Sequence, residues 1–122
     1  MTDSFNAEKI TFVIVTHNSE NFISKCISSI LSQTHKNFQI LVIDNDSKDS
    51  TLDILTSFRN NSKIKIITNS NNIGYGNAVN QNLKNISSPF MAVVNADVFL
   101  EKNWARNLIK PLLNDDLIVL SS

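Results

Sequence analysis

Five short apolar runs recur along this chain, each separated from the next by room for one helix: Ile10–Val15, Phe38–Ile43, Ile64–Ile67, Phe90–Val94 and Leu117–Leu120. Each is nearly continuous in Ile, Val, Leu and Phe. A strand with one wet face alternates apolar and polar residues. A run that is apolar at almost every position therefore predicts a strand covered on both faces, as in a parallel sheet. The cover lies between the runs. Phe22, Cys26 and Ile30 recur every fourth position, shadowed by Ile23, Ile27 and Leu31. Leu52, Leu55 and Phe58 form a second helical stripe, and Val79, Leu83 and Ile86 a third. Trp104, Leu108 and Leu112, with Ile109 and Leu113, form a fourth. Ser19 suits the cap of the first helix, with Glu20 in its first turn, and Asp49 or Ser50 suits the cap of the second.

The resulting order, β-α-β-α-β-α-β-α-β, implies right-handed crossovers and an open, mostly parallel α/β sheet with helices on both faces. Residues 1–122 read as a single domain without linker, repeat or low-complexity segment, and 42% hydrophobic residues suffice for its core. The last run leads straight to Ser121–Ser122, where a domain more often closes on a helix or a polar tail. The chain is therefore expected to stop short of a natural boundary.

Charge and cysteine narrow the function. Eleven Lys and Arg balance eleven Asp and Glu, for a formal net charge of +0. This gives no basic footprint for nucleic acid and no strong attraction to an anionic bilayer. Cys26 is the single cysteine, so no intrachain disulfide forms. Ile23, Ile27 and Ile30 around it make it a core position rather than a nucleophile. Met1–Glu8 is polar and acidic, without the cationic start and apolar stretch of a secretory leader. No run approaches the ~20 apolar residues of a membrane span. The expected location is the cytoplasm, including the periphery of the inner membrane.

In open parallel sheets, ligands sit beyond the carboxyl ends of the strands, where the strand order reverses. Here those ends are polar: Thr16-His17-Asn18, Asp44-Asn45-Asp46-Ser47, Thr68-Asn69 and Asn95-Ala96-Asp97. Hydroxyls, amides and carboxylates converging on one edge suit a polar, charged ligand. That convergence predicts the Ile10–Val15 strand between Phe38–Ile43 and Phe90–Val94. Taken singly, each residue is equally well a turn former or a helix cap. The two glycines both fall in Asn72-Ile73-Gly74-Tyr75-Gly76, ahead of the third helix. The turn after the first strand has none, which excludes a dinucleotide or P-loop fingerprint. The glycine segment is either an ordinary turn or a place where backbone N–H groups approach a ligand. Asp97, just past a central strand, is a natural hard ligand for a divalent cation bridging a diphosphate, or else a turn aspartate before the next helix.

Together and in order, these segments resemble family 2 glycosyltransferases, with the GT-A nucleotide-sugar fold, in their rhamnosyltransferase-like branch. The matching stretches are Val13-Ile14-Val15-Thr16-His17-Asn18, Ser28-Ser29-Ile30-Leu31-Ser32-Gln33-Thr34, Leu41-Val42-Ile43-Asp44-Asn45-Asp46-Ser47-Lys48-Asp49, Asn72-Ile73-Gly74-Tyr75-Gly76 with Asn80, and Val94-Asn95-Ala96-Asp97-Val98. The resemblance implies that Thr16 and Asn18 line a nucleotide pocket. It implies that Asp44 accepts the base N–H of a pyrimidine, with Asn45 as a substitute, and that Asp49 caps the next helix near the ribose. Asn72, Gly74 and Asn80 would shape the floor beneath ribose and sugar, and Asp97 would hold Mg²⁺ or Mn²⁺ against the diphosphate. Asn95 stands where many members carry the first aspartate of an Asp-x-Asp triplet, and its amide is a weaker metal ligand than a carboxylate. His17 is implied to belong to the pocket wall. His35, in the polar Gln33–Asn37 turn, is expected to be solvated.

The implied reaction is inverting attack by an acceptor hydroxyl on the anomeric carbon of a UDP- or dTDP-linked sugar. The acceptor would be a saccharide or a lipid-linked intermediate of cell-surface polysaccharide synthesis. The family's general base lies well downstream of the Asp-x-Asp region, and Glu101, Asp115 and Asp116 are poorly placed for that role. An acceptor-binding half is therefore expected beyond residue 122, and an uncovered sheet edge or apolar face is expected to favour self-association into a homo-oligomer. A binding-only or degenerate nucleotide module is the rival reading. A nucleotidyltransferase-like or reductase-like domain is disfavoured by the missing glycine-rich first turn.

Overall fold

The structure, a computed structural model, describes residues 8–109 and 118–121. Strands β1 (Ile10–Thr16), β2 (Phe38–Asn45), β3 (Ile64–Asn69), β4 (Phe90–Asn95) and β5 (Ile118–Ser121) alternate with helices α1 (Ile23–Leu31), α2 (Thr51–Ser57), α3 (Tyr75–Asn82) and α4 (Trp104–Ile109). The strands pair in parallel in the order β3-β2-β1-β4-β5. β1 thus lies between β2 and β4, and the chain's progress across the sheet reverses at β1. The register sets Thr16 beside Asp44 and Val15 beside Asn95 at the carboxyl edge.

In β1, β2 and β4 the apolar runs have no polar alternation because both strand faces are buried. β3 departs from that expectation, because as an edge strand it leaves Lys65 exposed and Ile66 and Ile67 only half-buried. Ile10, Phe12 and Ile14 of β1 pack with Ile27 of α1, Leu55 of α2 and Ile109 of α4 in one core. Val13 and Val15 turn the other way, onto Leu41, Ile43 and Ala78 of α3. Three helices therefore cover one face and α3 covers the other. Truncating a residue such as fully buried Ile14 to Ala would cost about 2–5 kcal/mol.

The stripes hold in most positions, since Cys26, Ile30, Leu55 and Ile109 are buried and Phe58, Val79, Ile86 and Trp104 pack against the cores, but four members face outward. Phe22 stands before α1 rather than on its inner face and is 46% exposed, while Ile23 is buried in its place. Leu52, Leu83 and Leu108 are exposed. The buried positions are Thr51 and Leu55 in α2, Ala78 and Asn82 in α3, and Ala105 and Ile109 in α4. Small residues such as Ala78 and Ala105 let these short helices approach the sheet closely, which pushes the larger leucines to the flank. In α3 the helix gives way to a 3-10 turn at Leu83–Asn85, whose tighter three-residue period swings Leu83 outward. Leu112, Leu113 and Leu117 lie outside the described residues.

His35 is also corrected. It is fully buried, with its ring Nε2 bonded to the Glu8 carbonyl at 2.8 Å. Its neighbour Gln33 is fully buried too, so the polar Gln33–Asn37 stretch is partly an internal layer. Among the described residues, no helix is long and apolar enough to cross a membrane.

Candidate functional site

A cleft of about 340 Å³ opens at the carboxyl ends of β1 and β4, where the strand order reverses. His17, Asn18 and Ser19 form one side, Asn95, Ala96 and Asp97 the other, and Phe22 and Tyr75 stand at its rims. Of the predicted site residues, the cleft brings together His17, Asn18, Asn95 and Asp97. Thr16, Asp44, Asn45, Asn72, Gly74 and Asn80 are not among its lining residues. Tyr75 and Phe22 were not predicted. Tyr75 follows Gly74 directly at the start of α3, which is a signal the sequence carried.

The loops beneath the cleft are held by a continuous set of hydrogen bonds. Asn18 leaves β1 with φ 50°, a left-handed conformation that Asn tolerates better than most residues. Its backbone N–H donates to Ser47 Oγ at 2.9 Å, and its Oδ1 accepts from the Lys48 N–H at 2.7 Å and the Asp49 N–H at 3.3 Å. Asn18 therefore joins the exits of β1 and β2. His17 Nδ1 lies 2.7 Å from the Asn45 carbonyl, and its Nε2 lies 3.2 Å from Asn18 Nδ2. A carbonyl can only accept, so Nδ1 carries the proton and Nε2 accepts from the Asn18 amide. These two bonds select the Nδ1–H tautomer and orient the ring on the cleft wall.

Asp44 is fully buried. Its Oδ2 accepts from the Ser47 N–H at 3.0 Å and its Oδ1 from the Ser47 hydroxyl at 2.6 Å. Its charge thus shapes the turn after β2. Asn45, also buried, accepts from Asn69 Nδ2 at 2.8 Å and donates to the Gly74 carbonyl at 3.2 Å. It ties the end of β3 to the glycine loop. Asn72 Oδ1 closes that loop on the Gly74 N–H at 3.0 Å. Gly74 has φ 87° and ψ 162°, a region open in practice to glycine alone, so a side chain there would cost about 1–3 kcal/mol. Asn80 is exposed on α3. Thr16 Oγ1 is enclosed at the end of β1 and has no hydrogen-bond partner among the described residues.

Of the expected caps, the one at Ser19 is corrected and the one at Asp49 is found. The Ser19 hydroxyl bonds its own loop, to the His17 carbonyl at 3.3 Å, while the Ser19 backbone carbonyl receives the N–H groups of Phe22 and Ile23. Asp49 caps α2, accepting from the Thr51 N–H at 2.9 Å and hydroxyl at 2.6 Å. Ser50 occupies the N-cap position without a side-chain bond.

Cys26 behaves as a core residue. Burial, with the charge of Asp97 as a second cause, pushes its thiol up to about 12, which removes it as a nucleophile at neutral pH. Among the described residues, no three His, Cys, Asp or Glu side chains gather as a closed metal site. Asp97 and Asn95 are both exposed to the cleft. One carboxylate and one amide oxygen fit a hard cation that takes its other ligands from water and a phosphate-bearing partner.

The comparisons with known proteins agree with this architecture. The family model for glycosyl transferase family 2 matches residues 11–122. An uncharacterized glycosyltransferase of Haemophilus influenzae is 32% identical over 93% of this chain and 35% of its own length. The Escherichia coli UDP-Glc:alpha-D-GlcNAc-diphosphoundecaprenol beta-1,3-glucosyltransferase WfgD is 33% identical over 88% of this chain and 42% of its own. Among solved structures, Staphylococcus aureus TarS 1–349 in complex with UDP superposes with a TM-score of 0.75 at 27% identity, covering 84% of this chain and 31% of TarS. The mannosyltransferase PcManGT of Pyrobaculum calidifontis shares the fold at a TM-score of 0.77 and 17% identity, over 88% of this chain and 33% of its own. The chain thus spans about a third of the length of these relatives. With the family model matching residues 11–122 and relatives above 30% identity over most of its length, the chain belongs to glycosyl transferase family 2.

Proposed function

We propose that residues 1–122 form one donor-binding domain that takes a nucleoside-diphosphate sugar, UDP- or dTDP-linked, across the carboxyl ends of β1 and β4. The observation that carries this reading is the Asp97 carboxylate, exposed in a cleft at the point where the strand order reverses. Open α/β sheets bind ligands at that point. Similarity to TarS, solved with UDP and with UDP-GlcNAc, supports the choice of a uridine nucleotide.

In this reading Asp97, helped by the Asn95 amide, holds Mg²⁺ or Mn²⁺ against the diphosphate. A cation there supplies charge neutralisation to the leaving group. The remaining work belongs to the chain's own side chains. Thr16 offers an enclosed hydroxyl whose hydrogen-bonding capacity is unspent. His17 and Tyr75 give flat walls for a base or a sugar. Asn18, Asp44, Asn45, Asn72 and Gly74 hold the loops that set those walls, and a direct base contact from Asp44 requires its fully buried carboxyl group to be uncovered. Asn80 borders the sugar side. An acceptor hydroxyl attacks the anomeric carbon with inversion, the sugar–phosphate bond breaks, and the hydroxyl proton passes to a general base. Glu101 holds the turn ahead of α4, its Oε2 accepting from the Asn103 N–H at 2.9 Å, a role that accounts for this carboxylate without assigning it the base. Asp115 and Asp116 lie outside the described residues.

The acceptor in this reading is a saccharide or a lipid-linked sugar of cell-surface polysaccharide synthesis, handled in the cytoplasm at the inner membrane. Similarity to WfgD, whose name specifies a diphosphoundecaprenol-linked acceptor, supports the lipid-linked form. Calorimetric titration with UDP and dTDP, with and without Mn²⁺, tests the proposal. Binding of one nucleotide, tightened by Mn²⁺, is the expected result. A folded protein that binds neither overturns it.

A further inference from the structure

The Ser28–Thr34 stretch carried part of the family resemblance, yet none of it lines the cleft. Its polar side chains point elsewhere. Gln33, just past the end of α1, is fully buried. Its Nε2 donates to the Glu101 carbonyl at 2.8 Å and to the Ser29 carbonyl at 3.2 Å, and its Oε1 accepts from the Ala105 N–H at 3.0 Å. On either side of it, the Leu100 N–H donates to Ser29 Oγ at 3.0 Å, and the Thr34 N–H donates to the Lys102 carbonyl at 2.8 Å. Thr34 Oγ1 reaches Asn103 Oδ1 at 2.7 Å.

The segment Leu100–Asn103 belongs to neither a strand nor a helix. Apart from the buried Leu100 side chain and the bonds that the Glu101 and Asn103 carbonyls accept from α4, it is held by this contact with the end of α1. The same segment follows Asp97. Upstream, Asn95 is held by its pairing with Val15 and by the Cys26 thiol donating to its carbonyl at 3.6 Å. Asp97 thus sits on a short span tethered to α1 on both sides, at Cys26 and at Ser29–Gln33.

We infer that Gln33 is a positioning residue for Asp97. It latches the segment behind that carboxylate to α1, whose other end carries Phe22 into the same cleft. Only a primary amide fits the latch. The Glu101 carbonyl, which already accepts from the Trp104 N–H at 2.9 Å, takes Gln33 as a second donor, and the Ala105 N–H, in the first turn of α4 and without a partner within that helix, needs an acceptor. Glutamate lacks the donor and methionine lacks both. Groups that orient a metal-binding side chain alter metal affinity about 10–100-fold when removed.

The inference rests on the donor-binding reading only for its consequence at the metal, so the test has two separate arms. In the free protein, the Asp97 carboxyl ¹³C resonance is compared between the native chain and Gln33→Met. A shift at Asp97 with Asp44 and Asp53 unmoved is expected, together with faster exchange of the Leu100 and Ala105 amides. An unmoved Asp97 resonance in a folded variant overturns the inference. In the second arm, Gln33→Met is expected to keep metal-free UDP affinity within about two-fold while losing about ten-fold of the tightening by Mn²⁺. Metal tightening equal to that of the native chain also overturns the inference. If the native chain shows no Mn²⁺ effect, the donor-site reading of Asp97 fails, and the carboxyl resonance alone decides the role of Gln33. Should Gln33→Met not fold, Gln33→Glu, which keeps the acceptor for Ala105, is read by the same two arms.

Discussion

Glu20 and Asp49 cap each other's loops. The Glu20 N–H donates to Asp49 Oδ2 at 3.2 Å, and Glu20 Oε2 accepts from the Ser50 N–H at 3.0 Å. The entrances of α1 and α2 are thereby satisfied by side chains from opposite loops, which ties the exits of β1 and β2 together. Burial opposes ionisation of Asp49, but its bonds from Thr51 and Glu20 outweigh that and hold its carboxyl below the usual 3.8. Because the folded value is the lower one, the stabilisation is complete above 3.8 and is lost as pH falls through the folded value. Asp49→Ala is expected to lower Tm at neutral pH by about 4 °C. Thermal melts over a pH series should show the gap closing in acid. A gap that stays constant down to the acid limit refutes the cap.

Asp97→Ala is expected to leave metal-free binding of UDP or dTDP within about two-fold and to abolish the tightening by Mn²⁺, since the carboxylate is the charged member of the Asn95–Asp97 pair. Calorimetry with and without Mn²⁺ reads this directly. An undiminished Mn²⁺ effect in the variant would place the cation elsewhere.

Asp44→Ala should behave differently. The substitution strands the Ser47 N–H in a buried turn, at a cost of about 1–3 kcal/mol. It also loosens the bond from Asn18 to Ser47 Oγ. Nucleotide affinity should fall by a similar factor with and without Mn²⁺, because the defect lies in the loop. Asp44→Asn, which keeps one acceptor oxygen, should fall less. Equal affinity in the native chain and a folded Asp44→Ala would remove Asp44 from the site altogether.

Much of this fold was legible because burial on two faces leaves a direct mark. Val13 and Ile14 point into different cores, and neither position admits a polar residue. The polar strand ends were legible for the same reason, as breaks in otherwise apolar runs. What stayed hidden depends on contacts distant in sequence. His35 read as solvated because the Gln33–Asn37 turn around it is polar, yet it is fully buried, as is Gln33, which bonds Glu101 and Ala105. Phe22 fits the stripe of α1 by spacing. The turn closed by the Ser19 carbonyl starts the helix at Ile23 and leaves the ring in the cleft. Asp44 could be seen at a strand end, but its engagement with Ser47 follows from turn geometry that no periodicity reports.

Thr16 provides the sharpest separation of stability from function. Its side chain is 1% exposed, and its Oγ1 has no hydrogen-bond partner among the described residues. A buried hydroxyl without a partner costs free energy, so a chain selected for stability alone would carry valine here. Thr16→Val keeps the β-branched shape that suits the last position of β1 and removes only the polar atom. The expected outcome is an unchanged or raised Tm. If the hydroxyl is reserved for the nucleotide, UDP or dTDP affinity should drop by about 2–10-fold, the worth of one hydrogen bond to a neutral partner. The drop should be the same with and without Mn²⁺, because Thr16 lies at the end of β1 beside Asp44 rather than beside Asp97. Melting curves and calorimetry on one pair of proteins decide the matter. A Tm that falls by several degrees would mean that the hydroxyl has a structural partner such as a bound water. An unchanged affinity alongside an unchanged Tm would mean that the hydroxyl is left unpaired for no ligand at this site.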